Sequence, residues 1–193
     1  MRDGVIHGWR DAVVSAAARG SVEPIDPGSI RTVVLVEGRS DLVALETLAE
    51  RMGVGLAETA IVPMGGATSI QRFMAVIRGV RIIGLCDIAE VRYFERAGLD
   101  RVFACDPDLE VELIRALGFE AMERVLDAEG HRELFRVFQN QPYQRSRELD
   151  VQLHRFLGTT AGRKERYGRS LASAVPIERV PAPLRAVLES ISS

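Results

Sequence analysis

Lysine is nearly absent from this chain: of its 25 lysines and arginines, one, Lys164, is a lysine. Cysteine is as scarce. Cys86 and Cys105 have neither the spacing of a zinc site nor a secretory disulfide pattern, and each ends an apolar strand-like run, so both are expected as buried free thiols. No apolar run is long enough to cross a bilayer and the N-terminus lacks a signal-peptide core, so the expectation is a cytoplasmic protein with no membrane partner. A formal charge of −2 excludes a strongly basic nucleic-acid binder but leaves room for local basic patches. No Gly-x-x-x-x-Gly-Lys-Ser/Thr loop is present to cradle a triphosphate, so no ATP is expected as a cofactor. Internal repeats and low-complexity tracts are missing as well.

What is present is a regular alternation. With 193 residues and 47% hydrophobic content, the chain can bury one core and carry a small appendage. Residues 5–18 read as an amphipathic helix, followed by a linker containing Pro24, Pro27 and Gly28. Val33 to Val36 form an unbroken apolar run, the mark of a strand buried on both faces, and it runs into Glu37-Gly38. Gly38 suits a tight turn, Ser40 can cap the next helix, and Asp41 falls in its first turn. The helix over 40–52 places Leu42, Leu45, Leu48, Ala49 and Met52 on one face, toward a sheet. Further strands are predicted over 60–64, 81–86 and 102–105, with helices over 69–78 and 91–97.

Strands joined by helical crossovers run parallel, because each crossover returns the chain to the same starting edge. Glu37, the Gly65-Gly66 turn, Asp87 and the segment Asp106-Pro107-Asp108-Leu109-Glu110 each follow a strand. All four therefore converge on one edge, where ligands bind in open α/β sheets. Carboxylates gathered there are poised for a metal ion. The competing reading is that strand-end acids cap helices or pair with arginines such as Arg39, Arg72 and Arg92.

Beyond Gly118 the pattern is helical only: 121–127, 131–138, 147–157 and 162–174, with a last turn or two after Pro183. The division expected is an N-terminal helix and linker over 1–30, an α/β domain over 31–117, and a helical extension over 118–193. Between His131 and Arg169 basic side chains outnumber acidic ones and Tyr143, Phe156 and Tyr167 lie among them. Such a region can track phosphates and stack bases, or be a solvated helix face with ordinary core aromatics. Trp9 and Val13 on the first helix are candidates for a contact surface, or equally for the chain's own core.

Glu37-Gly38-Arg39-Ser40-Asp41 after an apolar strand, a Gly-Gly turn after the second strand and an Asp ending the third resemble a Toprim domain, the metal-binding module of topoisomerases, bacterial primases and several nucleases. The closer resemblance is to the Toprim half of the overcoming-lysogenization-defect (OLD) nucleases. It is similar in particular to short stand-alone actinobacterial proteins with the runs Pro63-Met64-Gly65-Gly66-Ala67-Thr68, Gly84-Leu85-Cys86-Asp87, Asp108-Leu109-Glu110 and Gly162-Arg163-Lys164. The likeness extends from residue 31 to about 190.

The resemblance implies a Toprim-like, Rossmann-like α/β fold: a parallel four-stranded sheet flanked by helices, with an all-helical C-terminal extension. It implies a metal-dependent phosphodiesterase or nuclease acting on DNA, or less readily RNA, with Mg²⁺ or Mn²⁺ held by oxygen ligands. Glu37, Asp41, Asp87, Asp108 and Glu110 would be the metal ligands, Glu37, Asp41, Asp87 and Lys164 the catalytic set, and Gly65, Gly66 and Arg163 would face substrate. A homodimer and a separate ATPase are implied as partners, since full-length OLD nucleases resemble a fusion of an ATPase to the Toprim half.

One departure bears on the chemistry. Most Toprim domains end the third strand with Asp-x-Asp, whereas this chain reads Asp87-Ile88-Ala89-Glu90. Glu90 can substitute for the missing acid if the chain turns helical at once. The alternative function is a non-catalytic Toprim-like module that binds nucleic acid or a protein. A signalling receiver fits poorly, because the fourth strand ends in Asp106-Pro107-Asp108 and not in a small hydroxyl residue.

Overall fold

A computed structural model describes residues 2–160 and 162–192; Met1, Ala161 and Ser193, which the expected divisions included, lie outside the described residues. Among the described residues the chain forms a four-stranded sheet in the order β2-β1-β3-β4. β1 spans Thr32–Val36, β2 Thr59–Pro63, β3 Arg81–Asp87 and β4 Arg101–Cys105, and every pairing is parallel. Val36 registers with Pro63 on one side and Leu85 on the other, and Asp87 with Cys105, so the carboxyl ends of the strands finish together.

Successive strand residues point to opposite faces, and each face has its own cover. Val34, Val36, Ile83 and Leu85 pack with Leu42, Leu45 and Leu48 of α2 (Arg39–Met52) and with the C-terminal helices. Val33, Leu35, Ile82 and Cys86 pack with residues of α1 (Arg2–Ala18), α3 (Ile70–Val76) and α4 (Val91–Ala97). Trp9 and Val13 are buried in this second layer, and the Trp9 indole donates to the Asp26 carbonyl at 3.0 Å. They complete the chain's own core, which removes them as a contact surface. Gly84 makes the close layer contact with α4: a Cβ there would lie 2.4 Å from the Phe94 ring.

The remaining helices are α5 (Leu109–Leu117), α6 (Phe119–Ala128), α7 (Arg132–Gln139), α8 (Leu149–Leu157), α9 (Arg163–Ala174) and α10 (Ala182–Ile191). Three expectations are corrected here. The helix expected over 69–78 is a single 3₁₀ turn, Ala67–Ser69, followed by α3, with Ile77 already extended. The last helix is a full ten residues, because a proline in the first helical turn gives up no intrahelical hydrogen bond. Phe156 and Tyr167 are buried in the first layer and cannot stack on a base; Tyr143 alone of the three aromatics is exposed.

Cys86 and Cys105 are buried and unpaired. Burial pushes the Cys86 thiol up to about 12 and Cys105 in the same direction, so both stay protonated. Among the described residues no helix is long and apolar enough to cross a membrane.

Candidate metal centre

Glu37 is the first residue beyond β1, and its Oε1 reaches sideways to accept the Asp87 N–H at 2.8 Å, tying the ends of β1 and β3 together. Gly38 is extended, a conformation open to any residue, so the tight turn expected of it is not where glycine matters. The left-handed region is used instead at Gly65 and Gly66, with φ of 71° and 119°, where the Gly66 N–H donates to the Glu37 carbonyl at 2.9 Å. Ser40 does not cap α2. The helix begins one residue earlier, with Gly38 as its cap residue, and Asp41 in the third helical position turns back to accept the Gly38 N–H at 2.8 Å.

On the far side, Asp108 caps α5: its Oδ1 accepts the Val111 N–H at 2.9 Å. Glu110, one residue into that helix, is buried with 3% exposure. Its Oε2 lies 3.3 Å from Lys164 Nζ, while Oε1 is buried with no hydrogen-bond partner. An ionised carboxylate oxygen without a donor is costly in a protein interior, and a cation is what relieves it.

The fold adds a residue that the sequence reading did not single out. His154 of α8 brings Nε2 to 2.8 Å from Asp108 Oδ2, close but off the line of a regular hydrogen bond. Asp108, Glu110 and His154 each offer a ligand atom within 4.8 Å of the others, and the three can hold a metal ion. The Glu110 charge also acts on Glu37, Asp41 and Asp87, but among the described residues the acids and histidine whose ligand atoms gather within 4.8 Å are Asp108, Glu110 and His154.

Burial and crowding leave a common signature. Burial, with the charges of Glu110, Asp87 and Glu37 added, pushes Asp41 up to about 8. Asp87 rises to about 7 through burial and the charges of Glu37, Asp108 and Glu110. Glu37 is raised by burial, partly offset by the Asp87 N–H, with Glu90 and then Glu110 adding to the rise. Asp108 goes the other way: burial opposes it, but His154 and the Val111 N–H hold its carboxyl below the ordinary value. The same contact raises His154; burial pulls Lys164 down, but the carboxylates of Glu110, Asp108 and Asp87 together raise it.

The arginines weighed as neutralising partners do not fill that role. Arg39 pairs with Glu165 at 3.0 Å, Arg72 is exposed, and Arg92 lies over the Tyr93 ring 4.8 Å from its centroid. Arg163, expected on the substrate side, is turned onto its own helices: it donates to the Phe156 carbonyl at 2.9 Å and lies 4.3 Å from that ring's centroid. Among the described residues, the ion pairs of the five predicted ligands are Lys164–Glu110 and His154–Asp108. Ala89 is exposed in the 3₁₀ turn Ile88–Glu90, and Glu90, at the end of that turn, is close enough to act on Glu37.

Lys164 owes its position to a close helix contact. α9 crosses α2 so tightly that a Cβ on Gly168 would lie 2.7 Å from the Ser40 carbonyl oxygen. Lys164, one turn earlier on the same face, is thereby set beside Glu110.

Parallel strands in the order β2-β1-β3-β4, with acids at the carboxyl ends of β1, β3 and β4, are the arrangement that the Toprim resemblance implies. Residues 30–87 match the family described as "Overcoming lysogenization defect protein-like, TOPRIM domain". Similar solved structures include the C-terminal region of the Burkholderia pseudomallei OLD protein, with a TM-score of 0.63 and 19% identity over 84% of this chain and 97% of that one. The C-terminal region of the Xanthomonas campestris pv. campestris OLD protein has a TM-score of 0.63 and 21% identity over 84% of this chain and 92% of that one. At these identities the likeness shows the fold. No curated protein sequence matches the chain at a significant level.

Proposed function

We propose that this protein is a Toprim-type phosphodiesterase that cleaves DNA with Mg²⁺ or Mn²⁺. The observation that carries the reading is Glu110: a buried carboxylate with one oxygen unpartnered, beside Glu37, Asp41 and Asp87, whose ionisation is suppressed by burial and mutual repulsion. Such a set is completed by a cation. Glu37, Asp41, Asp87, Asp108 and Glu110 would hold it.

Bound there, a divalent ion polarises a phosphodiester and stabilises the charge that builds as the bond breaks. The chain's own residues do the rest. Lys164, half-exposed beside Glu110, presents a compact ammonium to a phosphate oxygen arriving at the edge. Glu37 keeps the β1 and β3 ends in register through the Asp87 N–H. The Gly65-Gly66 turn leaves space for a phosphate backbone, since a Cβ built on either residue meets nothing within 4 Å.

The test is nicking of supercoiled plasmid in Mg²⁺ or Mn²⁺, with calorimetry of ion binding on the same samples. Glu37→Gln keeps an acceptor for the Asp87 N–H and removes the charge; it should lose nicking and most ion affinity while remaining folded. Full cleavage by that variant would sink the assignment. Ion binding without cleavage would favour the second reading, a non-catalytic nucleic-acid or protein-binding module, which the exposed Ala89 at the second acidic position supports.

A further inference from the structure

The ion this site takes depends on a nitrogen that the acidic motifs do not contain. We infer that His154 is a metal ligand together with Asp108 and Glu110, and that its imidazole makes the site select Mn²⁺ over Mg²⁺. This inference rests on the metal-dependent reading above and sharpens it to the choice of ion.

Three observations lead to it. His154 Nε2 stands 2.8 Å from Asp108 Oδ2 without the alignment of a hydrogen bond, and it is buried. Ligands at neighbouring positions of an octahedral ion of this size are about 3 Å apart, so the separation suits two atoms sharing a cation. The second is independent of the histidine: Glu110 is 97% buried, its side chain reaches the same cluster, and its Oε1 has no partner at all. The third is position. Oδ1 of Asp108 is committed to the helix cap, which fixes the carboxylate and leaves Oδ2 directed at the imidazole.

A single imidazole changes ion preference for a chemical reason. Mg²⁺ is hard, demands oxygen and sheds its waters reluctantly, whereas Mn²⁺ accepts nitrogen readily and binds mixed nitrogen and oxygen sets more tightly. Asp108 and Glu110 alone would distinguish the two ions little. His154 adds the donor that does, and it does so in a chain whose third strand lacks the second acid, Ala89 standing in its place. The imidazole comes from α8, which packs against α5 and so brings a nitrogen to the cap that holds Asp108.

The experiment uses the intact protein with Mn²⁺ as the spectroscopic probe and Mg²⁺ as competitor. Pulsed EPR of the Mn²⁺ complex should show nitrogen-14 modulation from a directly bound imidazole, and His154→Gln should abolish it. Calorimetry should show the Mn²⁺ to Mg²⁺ affinity ratio falling about tenfold in His154→Gln, mostly through weaker Mn²⁺ binding. A second variant, His154→Asn, guards against misfolding: circular dichroism and the urea midpoint must match the parent for either result to count. Mn²⁺ binding without nitrogen coupling, or an unchanged affinity ratio in a folded variant, would overturn this inference and leave the metal-dependent reading intact. Failure of the parent protein to bind either ion would overturn both.

Discussion

Asp41→Asn should stabilise the metal-free protein, against the usual effect of altering a buried polar residue. Asp41 is 7% exposed and its carboxyl is pushed up to about 8 from an ordinary 3.8, chiefly by burial, with Glu110, Asp87 and Glu37 adding repulsion. At pH 7 the unfolded chain holds this group ionised and the folded chain holds it protonated. Three pH units separate 3.8 from 7 with a little over, so the proton uptake costs about 4 kcal/mol of folding free energy.

An asparagine keeps an oxygen for the Gly38 N–H and carries no charge to suppress. Allowing about 1 to 2 kcal/mol for a less favourable hydrogen-bond geometry, the variant should gain about 2 to 3 kcal/mol at pH 7, or on the order of 10 °C in Tm. The sign follows from linkage. A carboxyl whose folded pKa is raised binds more protons folded than unfolded, so stability is fullest below pH 3.8 and falls as pH rises toward about 8. Asp87, raised to about 7, and Glu37, raised as well, act in the same direction.

Urea denaturation in EDTA from pH 5 to pH 8.5 measures this. The parent should lose stability steadily across the range, the variant should lose less, and Mn²⁺ should restore the parent far more than the variant. An Asp41→Asn protein less stable than the parent in EDTA, or a parent whose stability climbs between pH 5.5 and 8, would refute the reasoning.

Further outcomes follow from the same geometry. Lys164→Met should lower plasmid nicking about a hundredfold while Mn²⁺ affinity stays within a few-fold of the parent; unchanged turnover would make the lysine a surface residue. Gly168→Ala forces a Cβ against the Ser40 carbonyl and should cost about 1 to 3 kcal/mol in a urea titration, with reduced nicking as Lys164 shifts. Ala89→Asp adds an acid to the turn after β3 and should tighten Mn²⁺ binding by calorimetry; no change would show that position to lie outside the ion's reach.

The sheet was legible because buried parallel strands are uniformly apolar, and Val33 to Val36 could be little else. The converging edge followed from parallel topology, which brings Glu37, Asp87 and Glu110 together without any local signal linking them. His154 was not legible. It sits on an amphipathic helix far along the chain from Asp108, and a lone histidine there carries no motif; only the docking of α8 against α5 joins the two. Arg163 misled for a related reason: its place beside Lys164 suggests a basic pair, but neighbours in a helix point about 100° apart, and the Phe156 ring takes one while Glu110 takes the other. Ser40 was the expected cap by residue type, yet the helix already begins at Arg39 with Gly38 as its cap residue, which leaves Ser40 inside the first turn. Trp9 and Val13 could be assigned to surface or core only once the second sheet face was seen to need a cover.

The two nitrogen-bearing side chains that face the acids of the edge, His154 and Lys164, both come from helices that follow the sheet in the chain, and α9 reaches its seat only because Gly168 admits the Ser40 backbone. During synthesis the acids are therefore finished first. A chain made only as far as α5 carries the carboxylates but neither the imidazole nor the ammonium set against them, and the last of these arrives only when α9 docks. The helices after the sheet thus supply the nitrogen atoms that face the acidic edge as well as a wall of the core.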